Sequence, residues 1–274
     1  MTYEQLVKAH LSNYKVKKLA VTRPKKWRGG EMDYHYILPA NRRELNFLSP
    51  YRTETGKFIE AEGIQLHPSF HYLNSSQAVC VNFFYPFIAE GQWPLLLKVL
   101  GMEGEEVESF QFEKMMGEGE QTTFDFYLKL KSGRDIFFEV KYTENSFGHA
   151  PDEDQYEKQY QKVHQKILAG EIQPSAEEYT ALLKNHQMLQ QIAYGKPDGN
   201  RIVVFICPEN NKSLQLEYRQ VMDHVVVPEL QGSIRMVTWE NLLKDLKIHL
   251  KSNLQVPGKL VHHYREFEDK YFPI

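Results

Sequence analysis

The chain has 274 residues and a formal net charge of -3, so it carries no overall basic signature, and any surface for a polyanion must come from local asymmetry. Its two cysteines, Cys80 and Cys207, sit inside apolar runs without a C-x-x-C, which excludes a disulfide scaffold and a cysteine zinc site. Neither a leader pattern nor an apolar stretch of membrane-spanning length occurs, so a cytoplasmic protein without a membrane partner is expected.

The length suits one domain with extensions. We read 1–73 as a basic and aromatic extension packed on the core, 74–250 as the main domain, and 251–274 as a C-terminal tail. Residues 1–30 read as a helix and arm broken at Pro24 and at Gly29-Gly30. They hold eight Lys/Arg against Glu4, net +7. Lys15, Lys17, Lys18, Arg23, Lys25, Lys26 and Arg28 are therefore the candidate phosphate contacts, with a solvated helix face as the bland alternative. Residues 31–73 are aromatic and turn-rich, and a short strand pair is predicted near Phe58 to Leu66. Ser75 or Asn74 can cap a helix running to about Leu100, with interruptions expected at Pro86 and from Gly91 to Pro94. Residues 101–120 are acidic, seven glutamates against Lys114. Within them Val107 to Met115 alternates as a strand, with Glu113 facing the same side as Gln111.

Phe124 to Glu144 is the most informative stretch. Alternation puts Phe124, Phe126, Leu128 and Leu130 on one face of a first strand and Asp125, Tyr127, Lys129 and Lys131 on the other. A second strand sets Ile136, Phe138, Val140 and Tyr142 against Asp135, Phe137, Glu139 and Lys141. The turn decides whether the acids meet. A two-residue loop at Ser132-Gly133 would put Asp125 and Glu139 on opposite faces and would demand positive φ of Ser132. A three-residue loop, Lys131 to Gly133, gives glycine the left-handed position and pairs Leu130 with Arg134. Asp125 then lies across from Glu139, at a Cβ separation of about 4.5–5.5 Å.

Two carboxylates at that distance repel unless a cation lies between them. Hard oxygen ligands suit Mg²⁺, which keeps several waters and binds phosphate oxygens; Mn²⁺ can substitute. Asp125 and Glu139 are thus the candidate metal ligands. Lys141 is positioned to orient or help deprotonate an attacking water and to stabilise charge developing on a phosphate. A bare E-x-K in a strand is more often a solvated ion pair. The acid 14 positions upstream, the apolar faces beneath both strands and the register-fixing glycine favour the catalytic reading.

Beyond the hairpin, Gly148 to Asp154 reads as a polar loop, and 155–195 as largely helical with a break from Gly170 to Pro174. The continuous apolar run Arg201 to Cys207 predicts a strand buried on both faces. A helix to about His224, a strand from Ser233 to Val237 and a helix from Trp239 to His249 follow. Eleven histidines supply no H-E-x-x-H, and neither a G-x-S-x-G nor a Walker loop occurs.

Asp125 followed by Glu139-x-Lys141 at a hairpin end resembles the PD-(D/E)xK nuclease superfamily, although Phe124 stands where the motif name has proline. FFEVKYTE with Ser146-Phe147-Gly148 is similar to a bacterial branch described as restriction endonucleases. Asn74-Ser75-Ser76-Gln77-Ala78 and Leu182-Leu183-Lys184-Asn185 are similar to that branch's flanking motifs. The resemblance implies an α/β fold with a restriction-endonuclease-like αβββαβ core, its mixed central sheet flanked by helices. It also implies Mg²⁺-dependent hydrolysis of DNA, by Asp125, Glu139 and Lys141.

Supporting candidates are Glu113 as a third acid, Gln77 at the start of the first core helix, Asn185, and Gln190-x-x-x-Tyr194, whose spacing places both on one helix face and resembles an element some of these nucleases use. Each has a bland reading as an ordinary polar or packing residue. A homodimer is compatible with the sequence. The competing functions are a nucleic-acid-binding module that keeps the fold without turnover, and an intracellular interaction protein using the aromatic amino-terminal region.

Overall fold

The computed structural model describes residues 1–26, 33–116, 122–148, 185–252 and 256–272. Arg28, the loop beyond Gly148 to Asp154, the expected helices from 155 to 184 and Leu182-Leu183-Lys184 lie outside the described residues. The chain forms two units, residues 106–239, and residues 1–105 with 240–274. Among the described residues no helix is long and apolar enough to cross a membrane.

The fold is α/β. In the 106–239 unit one mixed sheet has five strands, β1 (Val107–Met116), β2 (Thr122–Leu130), β3 (Asp135–Val140), β4 (Arg201–Cys207) and β5 (Ile234–Thr238), hydrogen-bonded in that order. β1, β2 and β3 are antiparallel neighbours, whereas β4 and β5 join in parallel. The parallel half demands burial on both faces, and the six residues from Ile202 to Cys207 are all buried. One face carries a cluster of Phe137, Val203 and Phe205 with Met188, Leu189 and Ile192 of α5 (His186–Ile192) and Leu214 and Val221 of α6 (Lys212–His224).

The hairpin turn follows the three-residue geometry. Leu130 and Arg134 pair, Gly133 donates its N–H to the Leu130 carbonyl at 2.9 Å, and Gly133 has φ +90°, a conformation that glycine adopts without a Cβ penalty. One facial assignment needs correction. Phe124 packs on Phe137 and Tyr194, with ring centroids 4.8 and 5.6 Å away, while Phe126 meets Phe138 and Phe112. Strict alternation therefore fails at Asp125. The irregularity is shared with the neighbouring strand, where Glu113, between the pairs Phe112–Phe126 and Lys114–Phe124, takes φ +50°.

The other unit is mainly helical: α1 (Tyr3–Lys17), α2 (Arg52–Ala61), α3 (Ser76–Ala89), α4 (Trp93–Val99), α7 (Trp239–Ser252, whose first residue closes the sheet unit) and α8 (Gly258–Tyr271). Lys25–Lys26 and Asp33–Tyr34 form a two-residue ladder. The strand pair expected near Phe58 to Leu66 is absent, because Thr55 and Ile59 are buried one helical turn apart and fix α2 through Ala61. α3 begins at the Ser75 cap, whose hydroxyl accepts from the Ala78 N–H, and runs straight through Pro86. Proline removes the N–H that would bond the carbonyl four residues back. His263 supplies the replacement, its Nε2 lying 2.6 Å from the Asn82 carbonyl oxygen. Residues read as a C-terminal tail include α8, which buries Leu260, Tyr264, Phe267 and Tyr271.

Candidate active site

Four consecutive cross-strand pairs, from Lys129–Asp135 to Phe126–Phe138, set the β2–β3 register. The regular pairing ends there, and Asp125, the next residue, lies close enough to Glu139 to feel its charge. The Asp125 Oδ2 accepts the Val140 N–H at 2.6 Å. Lys141 Nζ lies 2.8 Å from Glu139 Oε1. The strand end is tied on both sides, since the Lys141 N–H donates to the Ile206 carbonyl and its own carbonyl accepts from Trp239 Nε1. Glu139 and Lys141 are only 4% and 9% exposed, so their ion pair is largely out of water and their positions are held by packing.

Charge is unevenly distributed among these groups. Burial, then the charges of Glu139 and Glu113, push the Asp125 carboxyl well above the usual carboxylate range, and the Val140 N–H and Lys141 offset only part of that. Burial alone would depress the Lys141 ammonium. The ion pair with Glu139, helped by Glu144 and Asp125, more than offsets it and raises its pKa. Lys141 is therefore a fixed ammonium here, suited to donating hydrogen bonds and stabilising negative charge rather than to accepting a proton. Glu113, expected as a third acid, lies beside Asp125 with the left-handed backbone noted above, a strained conformation of the kind that concentrates at functional sites.

Two residues of the site escaped the sequence reading. Gln187 Nε2 donates to Glu139 Oε1 at 3.3 Å, and Gln191 Nε2 donates to Glu139 Oε2 at 2.5 Å. They stand one turn apart on α5. The spacing was visible in the glutamine-rich stretch, but Gln190-x-x-x-Tyr194 has the same spacing, and Gln190 points about 100° around the helix from Gln191. Tyr194 packs its ring on Phe124 and Phe137 and hydrogen-bonds the Thr122 side chain, so it is part of the wall beneath the hairpin. Asn185 precedes α5 and accepts the Leu189 N–H through its backbone carbonyl.

Gly148 governs how closely Gln187 approaches. It has φ +128°, and a Cβ there would come within 2.2 Å of Gln187 Oε1. The loop before it is fastened by Asn211, which donates to the Glu144 carbonyl at 2.8 Å, and by Glu217, which accepts the Phe147 N–H.

The remaining expected residues lie in the other unit. Gln77 donates to the Gln65 carbonyl and accepts the His67 N–H, so its carboxamide organises that loop. Lys15 is a correction: at 1% exposure its ammonium donates to the carbonyls of Arg23 and Ile37, both at 2.9 Å, and so is not available to phosphate. Lys17, Lys18 and Arg23 are exposed, with Lys18 loosely paired to Asp269 at 3.9 Å. For Lys25 and Lys26 the described feature is the backbone pairing.

Among the described residues no group of three or more His, Cys, Asp or Glu is arranged to hold a metal ion. Asp125, Glu139 and Glu113 are the acidic side chains whose charges meet at Asp125. The family described as Restriction Endonuclease associating with ARP matches residues 8–272. No curated protein and no solved structure matches this chain.

Proposed function

Because the chain belongs to the family of restriction endonucleases associating with ARP, we propose that it is a Mg²⁺-dependent nuclease of PD-(D/E)xK type that hydrolyses phosphodiester bonds in DNA. The observation that carries this reading is the meeting of Asp125, Glu139 and Lys141 at one end of the hairpin, with a 2.8 Å ion pair inside it. The donor set fits a hard cation that keeps most of its own waters, since such a cation needs one or two carboxylates rather than a closed cage. A cation held there would also favour the ionised form of the Asp125 carboxyl, which burial and then the charges of Glu139 and Glu113 disfavour.

Each residue has a separable task. Asp125 is oriented by the Val140 N–H on Oδ2, which leaves Oδ1 for ligation. Glu139 offers the second carboxylate, held in place by two glutamines and Lys141. When bound, Mg²⁺, for which Mn²⁺ can substitute, supplies Lewis acidity toward a phosphate oxygen. The Lys141 ammonium donates to the attacking water or to a phosphate oxygen and so lowers the energy of the negative charge that builds up there. Exposed Lys17, Lys18 and Arg23 add sequence-independent attraction for the DNA backbone.

Purified protein incubated with plasmid should cut it with Mg²⁺ and leave it intact in chelator. Glu139→Ala and Lys141→Ala should each lose cleavage by 100-fold or more, on the order of what one preorganised group contributes, and remain folded by circular dichroism. Plasmid bound with salt-sensitive affinity but uncut under both conditions would favour the binding module instead. Cleavage undiminished in both variants would place the activity outside this site.

A further inference from the structure

Gln191 is the most enclosed member of the site, with no exposed surface, and its two amide atoms have different fates. Nε2 donates to Glu139. Among the described residues Oε1 is buried without a hydrogen-bond partner. The carboxamide cannot relieve this by turning over, because Oε1 would then face a carboxylate oxygen, acceptor against acceptor, on the group already paired with Lys141. Its polarity is fixed, with the carbonyl directed away from the Glu139 oxygen that Nε2 holds.

A buried carbonyl without a donor is costly, and native proteins pair such atoms with protein or with bound water. The carboxamide that carries this carbonyl is bonded directly to Glu139, one of the two carboxylates proposed to attract a hydrated cation. Gln187 makes a longer bond to the other Glu139 oxygen and is half-buried, so it is the weaker of the two arms.

We propose that Gln191 is a positioning residue of the site: its amide N–H fixes Glu139, and its carbonyl accepts a hydrogen bond from a water of hydration of the cation shared by Asp125 and Glu139. This rests on the metal-dependent nuclease reading and extends it to a residue that ligates nothing directly. Outer partners of this kind typically change metal affinity or activity about 10–100-fold when removed. The larger effect belongs to Gln191 and the smaller to Gln187.

The test uses the full-length chain and two readouts, Mn²⁺ affinity by calorimetry without DNA, and kcat and KM for a DNA duplex. Gln191→Leu keeps most of the volume and suits neighbours such as Met188, Leu189 and Ile192, which are buried. It should weaken Mn²⁺ binding and lower kcat about 10–100-fold, with KM for DNA nearly unchanged. Gln187→Leu should cost less in both. Should the leucine variant melt early, Gln191→Asn, whose shorter amide keeps the polarity but falls short of Glu139, should show the same loss. A folded Gln191 variant with wild-type Mn²⁺ affinity and kcat would overturn the inference while leaving the nuclease reading intact. Wild-type protein that neither binds Mn²⁺ nor cuts DNA would overturn both.

Discussion

Replacing Asp125 by asparagine should stabilise the metal-free protein while removing its ability to respond to Mg²⁺. Opposed positions in an antiparallel ladder put Cβ atoms about 4.5–5.5 Å apart. Ionising both, as two unit charges about 5 Å apart at an effective dielectric near 20, would cost about 3 kcal/mol, and burial adds to that cost, so the folded protein holds on Asp125 a proton that the unfolded chain releases. Glu113 adds to that cost at Asp125, and Lys141 and the Val140 N–H subtract from it. Asparagine keeps the volume and an oxygen able to accept the Val140 N–H, so the variant escapes the cost of ionisation without losing the bond. We therefore expect a gain of about 1–3 kcal/mol, or about 3–10 °C in melting temperature for a domain of this size. Scanning calorimetry in chelator measures it. Added Mg²⁺ should then raise the melting temperature of the wild type by mass action and leave the asparagine variant where it was. A variant that melts at or below the wild type in chelator would show that the folded protein carries no such cost at Asp125. Equal shifts with Mg²⁺ would place the cation elsewhere.

Three further outcomes concern the helical unit. His263 is held neutral by burial, with smaller contributions from the charges of His262, Lys270 and Lys259, against the opposing bond to the Asn82 carbonyl, and its pKa falls to about 3. Because the folded value is depressed, the stability it contributes is fully present above the unfolded value near 6.5 and is lost as pH falls toward 3, at about 1.4 kcal/mol per pH unit. Denaturant unfolding between pH 7 and 4.5 should therefore lose about 2–3 kcal/mol less in His263→Gln than in the wild type, and parallel losses would contradict it. On the amino-terminal helix, Lys15→Met should cost about 1–3 kcal/mol of stability through two orphaned carbonyls without altering the salt dependence of DNA binding. Combined Lys17→Ala, Lys18→Ala and Arg23→Ala should flatten the log–log salt slope by about 0.9 for each phosphate left without its cation. An unchanged slope in that folded variant would move the DNA surface away from the arm.

The sheet was legible because strand periodicity and turn chemistry are local. Gly133 selected the three-residue loop and the loop selected the register of the four pairs from Lys129–Asp135 to Phe126–Phe138, whereas the break in alternation at Asp125 was not visible in the sequence. The apolar run Arg201 to Cys207 likewise announced a strand covered on both faces. Reading failed where a distant partner decided the outcome. Pro86 breaks a helix only if the carbonyl four residues earlier is left unpaired, and His263, 181 positions away, pairs it. Lys15 reads as surface charge until the chain folds back and presents two carbonyls to it. Helix α8 is a different kind of miss, because Leu260, Tyr264, Phe267 and Tyr271 are spaced for one buried helical face.

The glutamines show why a local pattern can be right in kind and wrong by a residue. Both Gln187 with Gln191 on α5 and Gln190 with Tyr194, which lies just past its end, satisfy i, i+4 in sequence, so spacing alone leaves the choice open. Docking closes it. Met188, Leu189 and Ile192 enter the core beneath Phe137 and Val203, which turns the 187/191 edge toward Glu139. Gly148 then permits the last approach, because any Cβ at that position would collide with the Gln187 side chain. The Ser146-Phe147-Gly148 stretch thus has a physical meaning that its position after the hairpin did not disclose: Phe147 anchors the loop in the core, and the missing side chain at 148 leaves room for the arm that reaches the carboxylate.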